Sequence, residues 1–194
     1  IECNGQLALN VCSVGFDARI GFGAADFKKL PLVSGPLAYQ LSAVRTIVQG
    51  IHRPYRVTID GERLPGEAFT LICACNGRYY GGGFLPVREA SMTDGVLNTL
   101  VVKQVTRRAF TRFVVPYSKG EYWRFPRYAQ SYTAKEIRIT SDEDIVTCLD
   151  GEILRFRDVT FRLSDKKLNF FAPKGASPDA TFTPIDQQQR KNSL

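Results

Sequence analysis

The sequence predicts a mainly β protein, a two-layer β-sandwich with two helices. Apolar runs of strand length recur along most of the chain, and turn-forming pairs such as Asp60-Gly61 and Pro65-Gly66 separate them. Apolar residues at helical spacing occupy two segments. Short strands joined by regular turns are typical of sandwiches and barrels.

Eight runs are predicted as strands from their apolar or alternating character and from the turn signals between them. In chain order they are Gln6 to Val14, Arg56 to Ile59, Phe69 to Cys75, Leu97 to Val105, Glu136 to Thr140, Ile153 to Phe156, Val159 to Leu163 and Leu168 to Phe171.

The first helix is predicted after Ser34, with Pro36 in its first turn and its end before Pro54. Its apolar residues recur every three or four positions and share one face: Leu37, Leu41, Val44, Val48 and Ile51. The second helix is predicted from about Thr106 to Val115. Its inward residues are Ala109, Phe110 and Phe113.

The length of 194 residues fits one domain, and 44% hydrophobic residues suit a globular core. We predict that residues 1–173 form this domain and that residues 174–194 form a polar tail. The formal net charge of +7 favours an anionic partner, which would be a nucleotide, a nucleic acid or an acidic membrane.

Five cysteines are an odd number in a chain of this size, and we expect reduced thiols. Cys73 and Cys75 lie two residues apart in an apolar run, so they share one face of a strand. A metal would need two further ligands, and the single histidine is His52. We therefore interpret both thiols as small core residues.

The most distinctive stretch runs from Asn76 to Pro86 and holds three consecutive glycines, Gly81 to Gly83. Glycines permit positive φ and close approach by another group, although a flexible hairpin would use them equally well. Further on, Asp94-Gly95 marks a tight turn. The carboxylate of Asp94 could cap that turn or bind a hard cation together with backbone carbonyls.

Four motifs follow one another in a characteristic order. They are Asn-x-x-Ser-x-Gly-x-Asp-Ala at residues 10–18, Gly-Arg-x-x-Gly-Gly-Gly at 77–83 with Pro86 after it, Asp-Gly-x-Leu at 94–97 and Asp-Gly-Glu at 150–152. In this order the chain resembles the diacylglycerol kinase and sphingosine kinase group of lipid kinases, above all the bacterial diacylglycerol kinase-like proteins. The resemblance covers about residues 5–172.

The resemblance implies a two-domain enzyme in which an N-terminal α/β domain holds ATP through a Gly-Gly-Asp-Gly-Thr loop. That loop does not occur in this sequence, and the chain starts at Ile1 rather than Met. We therefore expect that the chain is the C-terminal domain, that the ATP-binding domain lies outside it, and that the fragment alone is inactive. Mg²⁺ and ATP are the implied cofactor and cosubstrate.

The resemblance also assigns candidate catalytic residues. It implies that Glu152 is the catalytic base or orienting group and that Asp150 is its partner. A carboxylate beside the acceptor hydroxyl can take its proton during phosphoryl transfer. A second Asp-Gly-Glu, at residues 60–62, ends in Glu62. We expect it to be an exposed hairpin turn, because it precedes the glycine triplet and does not match the position of the family motif.

Binding roles are implied at three more positions. The resemblance makes Asp94 a ligand of a structural Mg²⁺, with a backbone carbonyl from Val96. It places Asp17 near the lipid headgroup as a substrate contact. Asn10 and Ser13 are expected to be structural.

Basic residues cluster around the second helix: Arg107, Arg108, Arg112, Lys119, Arg124 and Arg127. A solvated helix face is one interpretation, and docking to an anionic bilayer is the other. Aromatic residues lie among them, which suits a membrane interface or single-stranded nucleic acid: Tyr117, Tyr122, Trp123 and Phe125. His52 is expected to be a helix-end residue rather than a catalyst.

Together these observations predict the substrate-side half of an ATP-dependent kinase that phosphorylates a lipid hydroxyl. The expected partners are a lipid substrate and an anionic membrane, with no nucleic acid, and an exposed edge strand could pair two copies as a homodimer. The expected location is the cytoplasm, peripherally on the membrane. An NAD kinase-like domain and a non-catalytic basic module for membranes or nucleic acids are the alternatives.

Overall fold

A computed structural model describes residues 1–31, 33–81, 83–169 and 171. The predicted mainly β, sandwich-like fold is confirmed. The described residues form eleven strands and three α-helices, with a short 3-10 helix at Tyr122–Arg124. The predicted tail at 174–194 lies outside the described residues.

The strands are β1 (Glu2–Cys3), β2 (Gln6–Leu7), β3 (Val11–Gly15), β4 (Arg53–Pro54), β5 (Arg56–Ile59), β6 (Glu62–Arg63), β7 (Ala68–Cys75), β8 (Leu97–Lys103), β9 (Ala129–Ala134), β10 (Glu136–Leu149) and β11 (Glu152–Arg162). The helices are α1 (Phe16–Phe27), α2 (Gly35–Gln49) and α3 (Arg107–Ser118).

All strand pairs are antiparallel, in the order β2-β1-β11-β10-β3-β7-β8-β9, with β4 beside β7 and β5 between β10 and β6. The register of β10 shifts between Thr140 and Ile145. Before the shift β10 pairs with β5, and after it β10 pairs with β3. An irregularity of this kind bends a strand, which lets β10 serve both parts of the sandwich.

The strands bury apolar side chains on both faces. One face carries Val14, Ile72, Ile137 and Phe161 into the core between the strands. The other face carries residues such as Cys73 and Leu100 against the helices. The alternation of Cys73 and Ile72 between faces is the period of two expected of a strand.

Helix α1 is the main departure from the prediction, which had two helices. Its sequence holds Gly21 and Gly23, and glycine disfavours helices, so the local signal is weak. A side chain at Gly23 would stand 2.5 Å from Oγ of Ser42. The missing side chain lets α1 and α2 pack closely, and that tertiary contact is invisible in the local sequence.

Several element boundaries also differ from the prediction. The run from Gln6 to Val14 is divided into β2 and β3, and the two runs at 153–156 and 159–163 form the single strand β11. Leu168, Asn169 and Phe171 are not in a strand, which corrects that prediction, and Phe170 lies outside the described residues. Within the described residues, no helix has the length and apolar character to cross a membrane.

Candidate functional site

Asp17 lies in the first turn of α1, where the helix dipole favours a negative charge. The residue before the helix, Gly15, ends β3 with φ of 102°. A Cβ atom there would stand 2.5 Å from the carbonyl oxygen of Thr70. Glycine at position 15 therefore lets the chain turn from strand to helix and brings Asp17 over the helix-facing side of the sheet.

Two tyrosines meet the Asp17 carboxylate. The Tyr80 hydroxyl donates to Oδ2 of Asp17, and the Tyr117 hydroxyl lies 3.4 Å from the same oxygen. The two hydroxyls also hydrogen-bond to each other, and Sγ of Cys73 lies 3.7 Å from the Tyr117 hydroxyl. Residues from α1, the glycine-rich segment, α3 and β7 thus form one polar cluster, which we call the Asp17 cluster.

Burial raises the pKa of Asp17 to about 7, and the hydrogen bond from Tyr117 acts in the opposite direction. Burial also raises the pKa of Tyr117 well above its usual value, with the Asp17 charge as the second cause. The Tyr117 hydroxyl therefore stays protonated and can act as a donor. Asp17 can exchange a proton near neutral pH.

The glycine-rich segment is held by Asn10. Its carbonyl accepts hydrogen bonds from the amides of Asn76 (2.9 Å) and Gly77 (3.0 Å), and its side-chain amide donates to the carbonyl of Tyr79 (2.7 Å). A bridge between Tyr80 and Phe84 then closes a short hairpin. The predicted structural role of Asn10 fits these contacts, which fix the backbone beside Tyr80.

Asp150 occupies the turn between β10 and β11, with φ of 49° there and 102° at Gly151. Its carboxylate accepts hydrogen bonds from the amides of Leu9 (2.5 Å), Asn10 (3.1 Å) and Val11 (2.8 Å). The side chain therefore fastens the hairpin to the segment that enters β3. Its predicted role as a catalytic partner stays a prediction.

Glu152 is exposed at the end of the same hairpin. It pairs with Leu149, which pairs with Cys12, so these side chains share the face that carries the inter-strand core. Asp17 lies over the opposite face, above Cys73. The structure therefore does not bring Glu152 and Asp17 into direct contact within this chain.

The second Asp-Gly-Glu is a hairpin turn between β5 and β6, as predicted. Asp60 has φ of 48°, and its Oδ1 accepts from the amides of Lys135 and Glu136, both at 2.8 Å. Glu62 is exposed. Asp60 and Asp150 thus have the same structural use, which is to tie a tight turn to a neighbouring segment.

Asp94 caps its own turn, because its Oδ1 accepts from the amide of Val96 at 3.0 Å. Asp94 is exposed, so its other carboxylate oxygen can face solvent. Within the described part of the chain, no group of three or more His, Cys, Asp or Glu side chains could hold a metal. Mg²⁺ commonly keeps several waters and binds through one or two carboxylates, so a single exposed carboxylate such as that of Asp94 has the donor chemistry that this ion takes.

The predicted basic patch lies at the surface, and several of its members have protein partners. Arg107 donates to the carbonyls of Ile47 (3.1 Å) and Val48 (2.9 Å) at the end of α2. Arg124 pairs with Glu121 at 3.0 Å. Arg127 stands 5.8 Å from the ring of Tyr128. The remaining members are exposed: Arg108, Arg112 and Lys119.

The aromatic residues of that region divide into two groups. Tyr117, on the inner side of α3, and Tyr122, in the 3-10 helix after it, are buried in the helix-side core, so neither lies at the surface where a membrane or nucleic acid could contact it. Trp123 is exposed and lies under the guanidinium of Arg88 at 4.9 Å. Cys73 and Cys75 are buried core residues, as predicted.

Sequence reasoning missed the functional potential of Tyr80 and Tyr117. Their partner, Asp17, lies 63 and 100 positions away in the chain. The one local signal was a tyrosine directly before the glycine triplet. The Tyr80 hydroxyl is held in place by the backbone of the glycine-rich segment, and the glycines allow that backbone to turn.

Comparisons with known proteins agree with this fold. A model of the family described as "YegS C-terminal NAD kinase beta sandwich-like domain" matches residues 10–172. A Staphylococcus aureus (strain MRSA252) protein named a "Putative lipid kinase" is 27% identical over 153 residues, which cover 79% of this chain and 49% of that protein.

Solved structures give the same result. A crystal structure described as a "putative diacylglycerol kinase from Bacillus anthracis str. Sterne" matches with a TM-score of 0.58 and 25% identity, over 82% of this chain and 50% of that one. A second structure with that description, from the same organism, matches with a TM-score of 0.52 and 25% identity, over 82% and 51%. This chain spans about half the length of these relatives.

Proposed function

Because the chain belongs to the family of YegS C-terminal, NAD kinase-like β-sandwich domains, we propose that it is the substrate-side domain of an ATP-dependent lipid kinase. The acceptor is the hydroxyl of a lipid of the diacylglycerol class. The names of the relatives, lipid kinase and diacylglycerol kinase, support this choice of reaction. A preceding ATP-binding domain completes the enzyme, and this chain alone is inactive.

The Asp17 cluster is the observation that carries the proposal. It sets one carboxylate, held by the hydroxyls of Tyr80 and Tyr117, on the helix-facing side of the sheet. A carboxylate whose pKa lies near neutrality can accept a hydrogen bond from a hydroxyl or donate one. Asp17 is proposed to contact a polar group of the acceptor other than the reacting hydroxyl, because Glu152 faces the opposite side of the sheet, while the acyl chains require an apolar surface.

Glu152 is proposed as the catalytic base or orienting group. It is exposed at the tip of the β10–β11 hairpin, where a second domain can approach it. Asp150 holds that tip by binding three backbone amides, so it acts as a positioning residue for Glu152. Proton acceptance by a positioned carboxylate contributes about 10² to 10⁴-fold to a rate.

Mg²⁺ bound with ATP would neutralise charge on the transferred phosphoryl group. Asp94 is proposed as the protein ligand of a second, structural Mg²⁺, together with the carbonyl of Val96. The exposed carboxylate oxygen of Asp94 supports this assignment, because its other oxygen is already held by the Val96 amide. In this arrangement the ion would stabilise the loop that leads into β8.

Transfer of labelled phosphate from ATP tests the proposal. The full-length protein that carries this chain is incubated with diacylglycerol, a sphingoid base, a long-chain polyprenol and NAD. A labelled lipid is the expected product, and Glu152→Ala should lower its formation at least about 100-fold. The matched control is Glu62→Ala, which alters the exposed glutamate of the other Asp-Gly-Glu turn and should leave the rate unchanged.

The other outcomes are equally informative. Equal loss in both variants, or in neither, would refute the role of Glu152 and keep the lipid kinase. Label on NAD alone would make the protein an NAD kinase. No transfer to any acceptor would refute the kinase function and favour a non-catalytic binding module.

A further inference from the structure

Helix α2 turns its small residues inward. Ala38, Ser42 and Thr46 are buried, and they lie four residues apart on one side of the helix. The Ser42 hydroxyl donates to the carbonyl of Ile20 in α1 at 2.7 Å. Close packing against α1 is possible because Gly23 presents no side chain to Ser42. The inner side of α2 therefore packs against α1.

The opposite side of α2 carries a row of large aliphatic residues. Leu37, Leu41, Val44 and Val48 are 41%, 36%, 61% and 70% exposed, at spacings of four, three and four residues that place them in one line. Leu30, in the loop before α2, is 51% exposed. A surface helix normally turns such a row toward the core, and a contiguous exposed apolar patch marks an interaction surface.

The surroundings of this α2 row are basic. Helix α2 contains a single charged residue, Arg45, and no acidic one. Lys28 and Lys29 follow α1 in the loop that leads to α2. At the far end of the row, Arg107 donates to the carbonyls of Ile47 and Val48.

One acidic residue lies among these cations. Asp26 accepts from Arg45 at 3.4 Å and lies 3.8 Å from Nζ of Lys29. Asp26 balances one positive charge of the pair Arg45 and Lys29. The other charge of that pair and the charges of Lys28 and Arg107 remain. The α2 row is therefore an apolar stripe with a net positive border.

We propose that the α2 row binds the surface of an anionic lipid bilayer. An apolar helix face bordered by Lys and Arg lies at the boundary between headgroups and acyl chains. The helix is about 22 Å long at 1.5 Å per residue, which is shorter than a bilayer core of about 30 Å. It therefore lies along the membrane surface.

A bilayer explains the basic border better than a second copy of the chain does. Two copies of this chain, joined through the row, would bring like charges together, which disfavours association. An acidic membrane attracts the same charges. The proposal deepens the proposed function, on which it rests, by naming the surface that brings the kinase to a membrane-embedded acceptor. Its test does not require kinase activity.

Vesicle sedimentation tests the proposal with the full-length protein. Binding to vesicles of phosphatidylcholine and phosphatidylglycerol is compared with binding to phosphatidylcholine alone, where weaker binding is expected. The affinity of the double variant Val44→Glu/Val48→Glu for the anionic vesicles should be lower than that of the parent by at least about tenfold. The control is Leu7→Glu, which changes an apolar residue on β2 that is 53% exposed and should leave binding unchanged. Thermal melting checks that both variants fold.

Three results of the binding experiments would overturn the proposal. The first is unchanged vesicle binding by the double variant, and the second is an equal loss in Leu7→Glu. The third is a full-length protein that forms a dimer in light scattering and becomes a monomer in the double variant, which would make the row a contact between copies.

A kinase assay separates this proposal from the proposed function. A short-chain, water-soluble diacylglycerol needs no membrane, so the double variant should phosphorylate it at the rate of the parent while its rate on vesicles falls. Equal rates of parent and double variant on vesicles would overturn the docking role. Absence of transfer in every variant would refute the kinase function. Vesicle binding would then still decide whether the α2 row binds a membrane.

Discussion

The Tyr80 hydroxyl donates a hydrogen bond to the Asp17 carboxylate, and this contact joins the glycine-rich segment to the first turn of α1. Tyr117 reaches the same oxygen from α3. Two sequence motifs that lie far apart in the chain therefore meet at one half-buried carboxylate. The properties of that carboxylate can be measured by its effect on stability.

Replacing Asp17 by Asn should change how stability depends on pH. The folded state raises the pKa of Asp17 from 3.8 to about 7, so between these values the folded protein keeps a proton that the unfolded chain releases. Stability from this group is therefore present below about pH 4 and is lost as pH rises to about 7. The full loss is at most about 4 kcal/mol, of which about 2.5 kcal/mol falls between pH 5 and pH 8.

Urea unfolding at pH 5 and pH 8 measures this change. Because Asn does not ionise, Asp17→Asn should gain stability relative to the parent as pH rises. The control is Asp158→Asn, since hydrogen bonds from Arg138 lower the pKa of Asp158, so this carboxylate stays ionised over the same range. A difference between parent and Asp17→Asn that is the same at both pH values would contradict the raised pKa.

Tyr80→Phe should show the opposite dependence on pH. A hydrogen bond to an ionised group contributes about 1.5 to 3 kcal/mol, and one to a neutral group contributes less. Loss of the hydroxyl should therefore cost more at pH 8, where Asp17 is ionised, than at pH 5. Tyr132→Phe, on β9, is the control and should give one small value at both pH values. A pH-independent loss in Tyr80→Phe would mean that its hydroxyl does not bind the carboxylate.

Sequence patterns predicted the parts of this fold that depend on local periodicity. The strand around Ile72 and the row on α2 are examples, since alternation and helical spacing are visible in short windows. Periodicity gave the line of residues on α2 but not its direction, because the side that faces the core is chosen by the partner helix. Helix α1 escaped prediction for the same reason, since Gly23 disfavours a helix until Ser42 packs against it.

The candidate site could be predicted only for residues that lie within a recognisable sequence motif. Asp17, Asp150 and Glu152 stand in recognisable motifs, whereas Tyr80 and Tyr117 gain their importance from a partner distant in sequence. The opposite orientation of Glu152 and Asp17 likewise follows from strand register. Register depends on pairing between distant strands, so no local pattern contains it.

Alanine variants of Asp150 and Glu152 should separate an effect on stability from an effect on activity. Asp150→Ala leaves the amides of Leu9, Asn10 and Val11 without their acceptor and should cost about 2 to 4 kcal/mol in urea unfolding. Glu152→Ala removes an exposed side chain and should change stability by less than about 0.5 kcal/mol. The same variant should lose phosphoryl transfer in the full-length protein.

Asp60→Ala serves as the reference for Asp150→Ala, because Asp60 binds two amides in the equivalent turn. It should cost less than Asp150→Ala and leave phosphoryl transfer intact. A large loss of stability in Glu152→Ala would show that this side chain is structural, and its effect on transfer would then say nothing about catalysis.

Gly77→Ala should destabilise the support of the glycine-rich segment. A Cβ atom at Gly77 would stand 2.1 Å from Oδ1 of Asn10 and 2.6 Å from Cε of Met92. The Asn10 side chain is fixed by its hydrogen bond to the Tyr79 carbonyl, so it cannot withdraw without losing that bond. Overpacking of this kind costs about 1 to 3 kcal/mol, which urea unfolding can measure.

A double-mutant cycle with Asn10→Ala identifies the clash. If Asn10 is the residue that resists the new methyl group, Asn10→Ala should cost less in the Gly77→Ala background than in the parent, with a coupling of about 1 kcal/mol or more. Gly35→Ala is the matched glycine control, because no atom lies within 4 Å of its Cβ position, and it should be neutral. Additive effects of the two changes at Asn10 and Gly77 would instead place the strain at Met92, leaving the Asn10 contact to Tyr79 independent of the glycine.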